Sequence, residues 1–282
     1  MSENQQPQWP QPGLHPRIPS AIYHKLEAAS CSILKVLAAY SPAHAKHQMD
    51  NGSESEAMKF GSAFHMYNLE PELYATTYTT MPHFDRRTKQ GKADALAWEA
   101  ANADKLPIYE DELVLLQEMR KAIQGNKLAC ELLNAPGLTE ASFLWVDPDS
   151  EQLVKARTDR YVTWGGEKWV LDLKTTTDAS ERGFTRAIGT YRYDLQVAIY
   201  GEALSAVCGV LPRFAFIAVE KEPPYGVGIY EVRRADLADA WEEYKRLVKQ
   251  FAECRKANHW PSYEEKIVTL EMPKWAKGST ND

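Results

Sequence analysis

Val170-Leu171-Asp172-Leu173-Lys174 is an apolar run carrying an acid and a base two residues apart, and a second acid, Asp159, stands thirteen positions earlier. Side chains alternate across a β-strand, so Asp172 and Lys174 share one face while Leu171 and Leu173 point to the other. A carboxylate able to hold a divalent cation then lies beside an ammonium able to orient or deprotonate a water, which is equipment for hydrolysis. Asp159 closes Leu153-Val154-Lys155-Ala156-Arg157-Thr158, and Trp164-Gly165-Gly166-Glu167 supplies a turn. The segment therefore predicts a β-hairpin whose two carboxylates can reach one ion. The same alternation also fits an Asp/Lys pair on the wet face of an antiparallel sheet.

Downstream, Gln196 and Tyr200 stand four apart in the apolar helical run that follows Tyr193, so an amide and a phenol share one helix face. They could hold a phosphate or a base edge, or form a partly buried amphipathic rim. Upstream, Gly61-Ser62-Ala63-Phe64-His65-Met66-Tyr67-Asn68-Leu69 predicts a short helix that stops before Pro71 and carries His65.

The order His65, Asp159, Asp172-x-Lys174, Gln196-x-x-x-Tyr200 resembles the PD-(D/E)xK nucleases of the RecB/RecE type. The wording of Met58 to His65, Leu69-Glu70-Pro71-Glu72, Asp85 to Lys92 and Asp172-Leu173-Lys174-Thr175-Thr176 is similar to the C-terminal nuclease domain of the RecE, or exodeoxyribonuclease VIII, family and its phage and prophage relatives. The resemblance runs from about Ser32 to about Leu204. Asp159, flanked by Thr158 and Arg160, lacks the Pro of the superfamily's name, a loose position in such nucleases.

What the resemblance implies is a metal-dependent exonuclease on double-stranded DNA ends, working 5′ to 3′ and leaving 3′ single strands for recombination by strand annealing. Asp159, Asp172 and the Leu173 carbonyl would ligate Mg²⁺, with Mn²⁺ an alternative, and His65 is carried over as a metal-site residue. Lys174 would act on the attacking water, and Gln196 and Tyr200 would position the scissile phosphate. Glu140 falls where a further metal-site carboxylate is allowed, or is a solvated strand-edge acid. The family implies a homo-oligomeric ring, tetramer or trimer, and a single-strand annealing protein as partner. The long region that precedes the nuclease in full RecE proteins is not expected here. Two other readings stay open: a structure-specific or restriction-type endonuclease with the same hydrolytic site, and a catalytically idle DNA-binding subunit that keeps the fold.

The chain has 33 basic and 39 acidic residues, a net charge of −6, so a DNA-binding surface must be local rather than global. Arg86, Arg87, Lys89 and Lys92 form one candidate patch, or a merely solvated loop, and Lys155 and Arg157 on the strand into Asp159 extend it. Cys31, Cys130, Cys208 and Cys254 are scattered without a Cys-x-x-Cys pair, which argues against a zinc knuckle or a disulfide framework. Some related nucleases hold an iron–sulfur cluster through a tight C-terminal cysteine group; none exists here, and no such cluster is expected.

These residues need a scaffold. With 282 residues, 44% hydrophobic and 26% charged, the chain can bury one large core, and residues 21–275 are expected to form a single nuclease domain. Residues 1–20, rich in Pro and Gln, and residues 276–282 are expected to be flexible tails. No run is apolar enough to cross a bilayer and no signal segment opens the sequence, so a cytoplasmic setting without membrane contact is expected. Helical patterns cover 23–39, 61–69, 93–103 and 111–133. Strand patterns follow at 142–146, 153–159 and 169–174, then a helix at 195–207, strands at 214–219 and 226–232, and a closing helix with Leu237, Trp241, Tyr244, Val248 and Phe251 inward. The expected class is α/β, with the PD-(D/E)xK fold's central mixed β-sheet flanked by helices.

Overall fold

A computed structural model describes residues 10–52 and 54–271; the C-terminal tail expected at 276–282 and the first nine residues lie outside it. The N-terminal half is β1 (Gly13–His15), α1 (Ser20–Lys25), β2 (Ala29–Ser30), α2 (Cys31–Ala39), α3 (Pro42–Asn51), α4 (Glu56–Leu69), α5 (Pro71–Thr77), β3 (Tyr78–Met81), α6 (Lys89–Ala101), β4 (Leu106–Tyr109), α7 (Glu110–Gly125) and α8 (Lys127–Leu133). The second half is β5 (Gly137–Val146), β6 (Leu153–Trp164), β7 (Glu167–Thr176), α9 (Glu181–Thr190), α10 (Tyr193–Cys208), β8 (Arg213–Glu220), β9 (Val227–Glu231) and α11 (Ala238–Ala257). Local chemistry sets several boundaries. Pro42 and Pro71 open α3 and α5 at positions where the missing N–H would have no helical partner. Asn126 ends α7 and caps α8 by accepting from the Ala129 amide at 3.0 Å, which divides the single helix expected over 111–133.

Among the described residues the main sheet has seven strands, ordered β1-β5-β6-β7-β8-β9, with β2 added beside β6. The β7–β8 and β2–β6 pairs are parallel and the others antiparallel, so the sheet is mixed, as expected. β3 and β4 form a separate parallel pair that the sequence pattern did not announce. Both faces of the main sheet are covered. Phe143, Ala156, Val170 and Phe216 pack with residues of α2, α10 and α11, whereas Trp169, Leu171, Leu173 and Ile217 pack with residues of α4, α7 and α8. The expected hairpin is present: β6 and β7 pair from Trp164↔Glu167 to Arg160↔Leu171, across a turn in which Gly165 and Gly166 have φ of 58° and 81°. Those angles suit glycine and a tight hairpin reversal.

Past Arg160↔Leu171 the two strands part, and β2 runs beside β6 at Ala29↔Val154 and Ser30↔Lys155. Asp159 and Asp172 are the first residues beyond the split. β2 also interrupts the helix expected over 23–39, and α2 begins directly after it, with Ser30 Oγ capping the Ile33 amide at 3.4 Å. The expected N-terminal tail is corrected for its described part: Gly13, Leu14 and His15 pair with Leu144, Phe143 and Ser142, and Ile18 is buried against Tyr23, Leu26 and Leu144. Backbone pairing and apolar burial order this stretch despite its composition. No helix of the described residues is long and apolar enough to cross a membrane.

At Gly137, the start of β5, an added Cβ would lie 2.1 Å from the Tyr161 carbonyl oxygen and 2.6 Å from Val162 Cα, both backbone atoms of β6. Gly137→Ala is therefore expected to lower stability by roughly 1–3 kcal/mol, because neither strand can shift without breaking the ladder. Urea unfolding of the variant checks this, and unchanged stability would mean that β5 does not approach β6 so closely.

Candidate active site

Where β6 and β7 part, the Leu173 amide loses its strand partner, and Asp159 Oδ2 accepts from it at 2.7 Å. A buried N–H left alone would be costly, so this carboxylate does structural service as well as presenting charge. His65, on the third turn of α4, lies over the same point. Its Nε2 donates to the Leu173 carbonyl at 2.6 Å and its Nδ1 stands 3.6 Å from Asp159 Oδ1. Burial raises the Asp159 carboxyl above its ordinary range, with the nearby His65 opposing the rise and Asp172 adding to it.

Asp172 is only 1% exposed, which excludes the alternative of a wet sheet face. α10 covers it, and Gln196 Nε2 donates to its Oδ1 at 2.5 Å. Lys174 Nζ lies 2.5 Å from its Oδ2, so the two oxygens of this buried carboxylate face an amide and an ammonium. Burial works to lower the Lys174 pKa, but Asp172 and Asp159 outweigh it and hold the group above the ordinary lysine value. Lys174 is thus an ammonium here. Tyr200, one turn beyond Gln196 on α10, is buried beside Phe214 and lines the same cleft.

Two elements of the site were not foreseen. Lys35 of α2 donates to Gln196 Oε1 at 3.0 Å, and its ammonium and that of Lys174 lie 5.0 and 5.1 Å from the centre of the Tyr193 ring. A single lysine in an apolar helix gave no sequence signal for this. The second is an ion network around Glu140, which faces Asp159 between the pairs Thr139↔Arg160 and Ala141↔Thr158. Glu140 has φ of 54°, and on either side of it Leu138 and Ala141 reach the same core in spite of opposite parity, so β5 inverts its facing there. Burial, then the charge of Asp159, push the Glu140 carboxyl up to about 8, while Arg157, 3.9 Å away, and the ion-paired Glu70 and Arg17 also act on it.

The expected DNA-contacting residues divide. Arg86, Arg87, Lys89 and Lys92 are exposed on the loop before α6 and its first turn, with Arg86 paired to Glu99 at 2.6 Å and Arg87 to Asp85 at 2.8 Å. None of the four lines the cleft. Lys155 and Arg157 are corrected as an exposed patch. Lys155 is buried and donates to the carbonyls of Tyr23 and Leu26 at 2.7 and 2.9 Å, and Arg157 donates to the Ile18 carbonyl at 2.6 Å and stacks 3.9 Å from the Tyr23 ring centre. The N-terminal segment covers the face that strand alternation leaves polar. Lys155 and Arg157 nonetheless line, with Lys25, Lys46 and Arg255, a cleft of 1260 Å³ that holds His65, Asp159, Asp172 and Lys174.

The donor set suits a hard divalent cation. No three His, Cys, Asp or Glu side chains among the described residues cluster tightly enough to hold an ion by themselves. The fit rests instead on the chemistry of the donors, two carboxylates and the Leu173 carbonyl brought to one fork with the His65 ring beside them. Oxygen donors of this kind match Mg²⁺ or Mn²⁺.

Residues 30–272 match a family described as a PDDEXK-like domain of unknown function. A crystal structure from Eubacterium rectale, described as a "Putative exonuclease", superposes with a TM-score of 0.58 at 14% identity, covering 94% of this chain and 99% of that one, a likeness of fold. The structure of SSO0001 aligns with a TM-score of 0.29 at 17% identity over 67% of this chain and 86% of that one, too low to bear on the argument. No curated protein matches the chain.

The elevated Glu140 pKa has a consequence for stability. Its folded value of about 8 lies above the ordinary 4.5, so the folded chain keeps a proton that the unfolded chain has released between those values. Stability from this group is full below the lower value and is lost as pH rises through the upper one. In a chelator-containing buffer, the melting temperature of Glu140→Gln minus that of wild type is expected to grow as pH rises from about 5 to about 9. A difference independent of pH would contradict the burial of this acid.

Proposed function

Since the chain belongs to this PDDEXK-like family, we propose that it is a Mg²⁺-dependent deoxyribonuclease that degrades double-stranded DNA from its ends. The observation that carries the reading is the fork itself: Asp172, buried on a central strand, is held by Gln196 and Lys174 beside an Asp159 that shares the Leu173 backbone. A purely structural ion pair needs none of the second carboxylate, the histidine or the open cleft. The end-directed part of the proposal rests on the resemblance to RecE-type nucleases and on the description of the Eubacterium rectale neighbour.

Asp159, Asp172 and the Leu173 carbonyl would hold the cation, with His65 at its edge. A bound divalent cation supplies positive charge for the phosphate oxygens and makes a nearby water a better nucleophile. The remaining work falls to the protein. Lys174, held protonated, donates to the attacking water or to a phosphate oxygen and offsets charge that grows there. Gln196 steadies Asp172, and Tyr200 walls the cleft next to it. Lys25, Lys46 and Arg255 line the cleft, the last two ion-paired with Asp50 and Glu27, and with the exposed Arg86 and Arg87 they offer contacts to the backbone of the duplex, since surface ion pairs exchange readily for phosphate. By the same resemblance the working form is a closed ring of three or four copies, acting with a single-strand annealing protein.

Linear duplex labelled at either 5′ or 3′ end, beside a covalently closed circle of the same sequence, tests the proposal with Mg²⁺ present. Release of label from the 5′ end with the circle untouched is expected; cutting of the circle would transfer the reading to an endonuclease. Lys174→Ala should lower kcat by roughly 10²–10⁴. Lys174→Arg should fall nearly as far, because a wide, delocalised guanidinium cannot place a compact ammonium's charge and donors at the same point beside Asp172. An Arg variant with wild-type turnover would show that charge alone suffices.

A further inference from the structure

Gln196 stands between two groups of opposite hydrogen-bonding character. Lys35 Nζ donates to its Oε1 at 3.0 Å, and its own Nε2 donates to Asp172 Oδ1 at 2.5 Å. An ammonium has no acceptor and an ionised carboxylate has no donor, so only one sense of the amide satisfies both neighbours. Turning it over would set oxygen against Asp172 and NH₂ against Lys35, replacing two charge-assisted bonds with two repulsions. Without the Lys35 ammonium, one of the two constraints on that amide disappears.

The placement of Lys35 is itself built. α2 starts directly from β2, and β2 is fixed beside β6 by the pairs Ala29↔Val154 and Ser30↔Lys155. The helix therefore cannot slide without disturbing the fork. From its second turn Lys35 reaches Gln196 over the Tyr193 ring, whose centre Lys174 approaches at a matching distance. Lys35, Gln196, Asp172 and Lys174 thus form a chain of donor, amide, carboxylate and donor, and both ends of it are positive.

We propose that Lys35 is a positioning residue of this site: acting through Gln196, it fixes the orientation of the Asp172 carboxylate, with Oδ1 held by the amide and Oδ2 facing Lys174. The proposal rests on the nuclease reading only for its consequence in turnover; the orientation of Gln196 can be read without it.

Lys35→Met keeps an unbranched stem and removes the ammonium. With Mg²⁺ and linear duplex, kcat is expected to fall about 10- to 100-fold with KM for DNA unchanged. Lys35→Arg should recover much of the loss, because it still only donates. The double variant Lys35→Met with Gln196→Ala should be no slower than Gln196→Ala alone. A raised KM with kcat intact, or losses that multiply in the double variant, would overturn the proposal and make Lys35 an independent contact.

The second readout needs no activity. In ¹⁵N-labelled protein with chelator, the side-chain amide signals of Gln196, identified by their loss in Gln196→Ala, should be protected from exchange. They should exchange about tenfold faster or more in Lys35→Met, with the backbone spectrum of the fold retained. Lys35→Gln, which can donate or accept and so no longer dictates the sense of the amide, is expected to behave alike and serves if the Met variant does not fold. Unchanged exchange would sink the positioning role whatever the activity. A wild-type protein inactive on every DNA, with exchange that still depends on Lys35, would sink the nuclease reading alone.

Discussion

Where the two strands of a hairpin separate before their ends, a buried backbone amide is stranded. In this protein the amide is that of Leu173, and the acceptor that rescues it is the Asp159 carboxylate. The chemistry and the fold share that contact. Because β6 and β7 part there, β2 can lie beside β6, and α2 follows β2 into place with Lys35. Because the Leu173 carbonyl also leaves the ladder, His65 of α4 can reach it. Elements on opposite faces of the sheet, α10 and α2 on one and α4 on the other, therefore meet at one opening.

Charge at the opening is balanced rather than stacked. Asp159 and Asp172 would repel each other in a site with little water, and burial raises the Asp159 carboxyl above its ordinary range. Lys174 beside Asp172, His65 beside Asp159 and the donor end of Gln196 hold the pair together. Glu140 lies outside that balance. It faces Asp159 from β5 in a left-handed backbone conformation and is countered by Arg157 at 3.9 Å, and burial lets it keep its proton to a pH well above the ordinary carboxylate range. A cation at the fork would add the positive charge that this group of acids lacks.

Much of this was legible in the sequence because it is local. Alternation along 170–174 placed Asp172 and Lys174 on one face, two glycines marked the turn, and the four-residue spacing put Gln196 and Tyr200 on one side of α10. What alternation could not say is what covers a polar face. Lys155 and Arg157 alternate with core residues as surface residues do, yet the segment from Gly13 to Leu26 folds over them, and their charges bind its carbonyls. That segment looked like a tail because its order comes from pairing with β5, about 130 residues away, and not from its own pattern. Lys35 and β2 were missed for the same reason. A two-residue strand has no period, and one lysine in an apolar helix declares nothing until its partner, distant in sequence, is known.

If the Asp159 carboxylate holds the fork together, the Leu173 amide reports it directly. Native-state hydrogen exchange of that amide, in cation-free wild type and in Asp159→Ala, isolates the contact from catalysis. The expected result is a strongly protected Leu173 in wild type that exchanges on the order of tenfold to a hundredfold faster in the variant, with protection elsewhere in β7 and β8 kept. Equal protection of Leu173 in both proteins would contradict the account, since the amide would then have a partner other than Asp159.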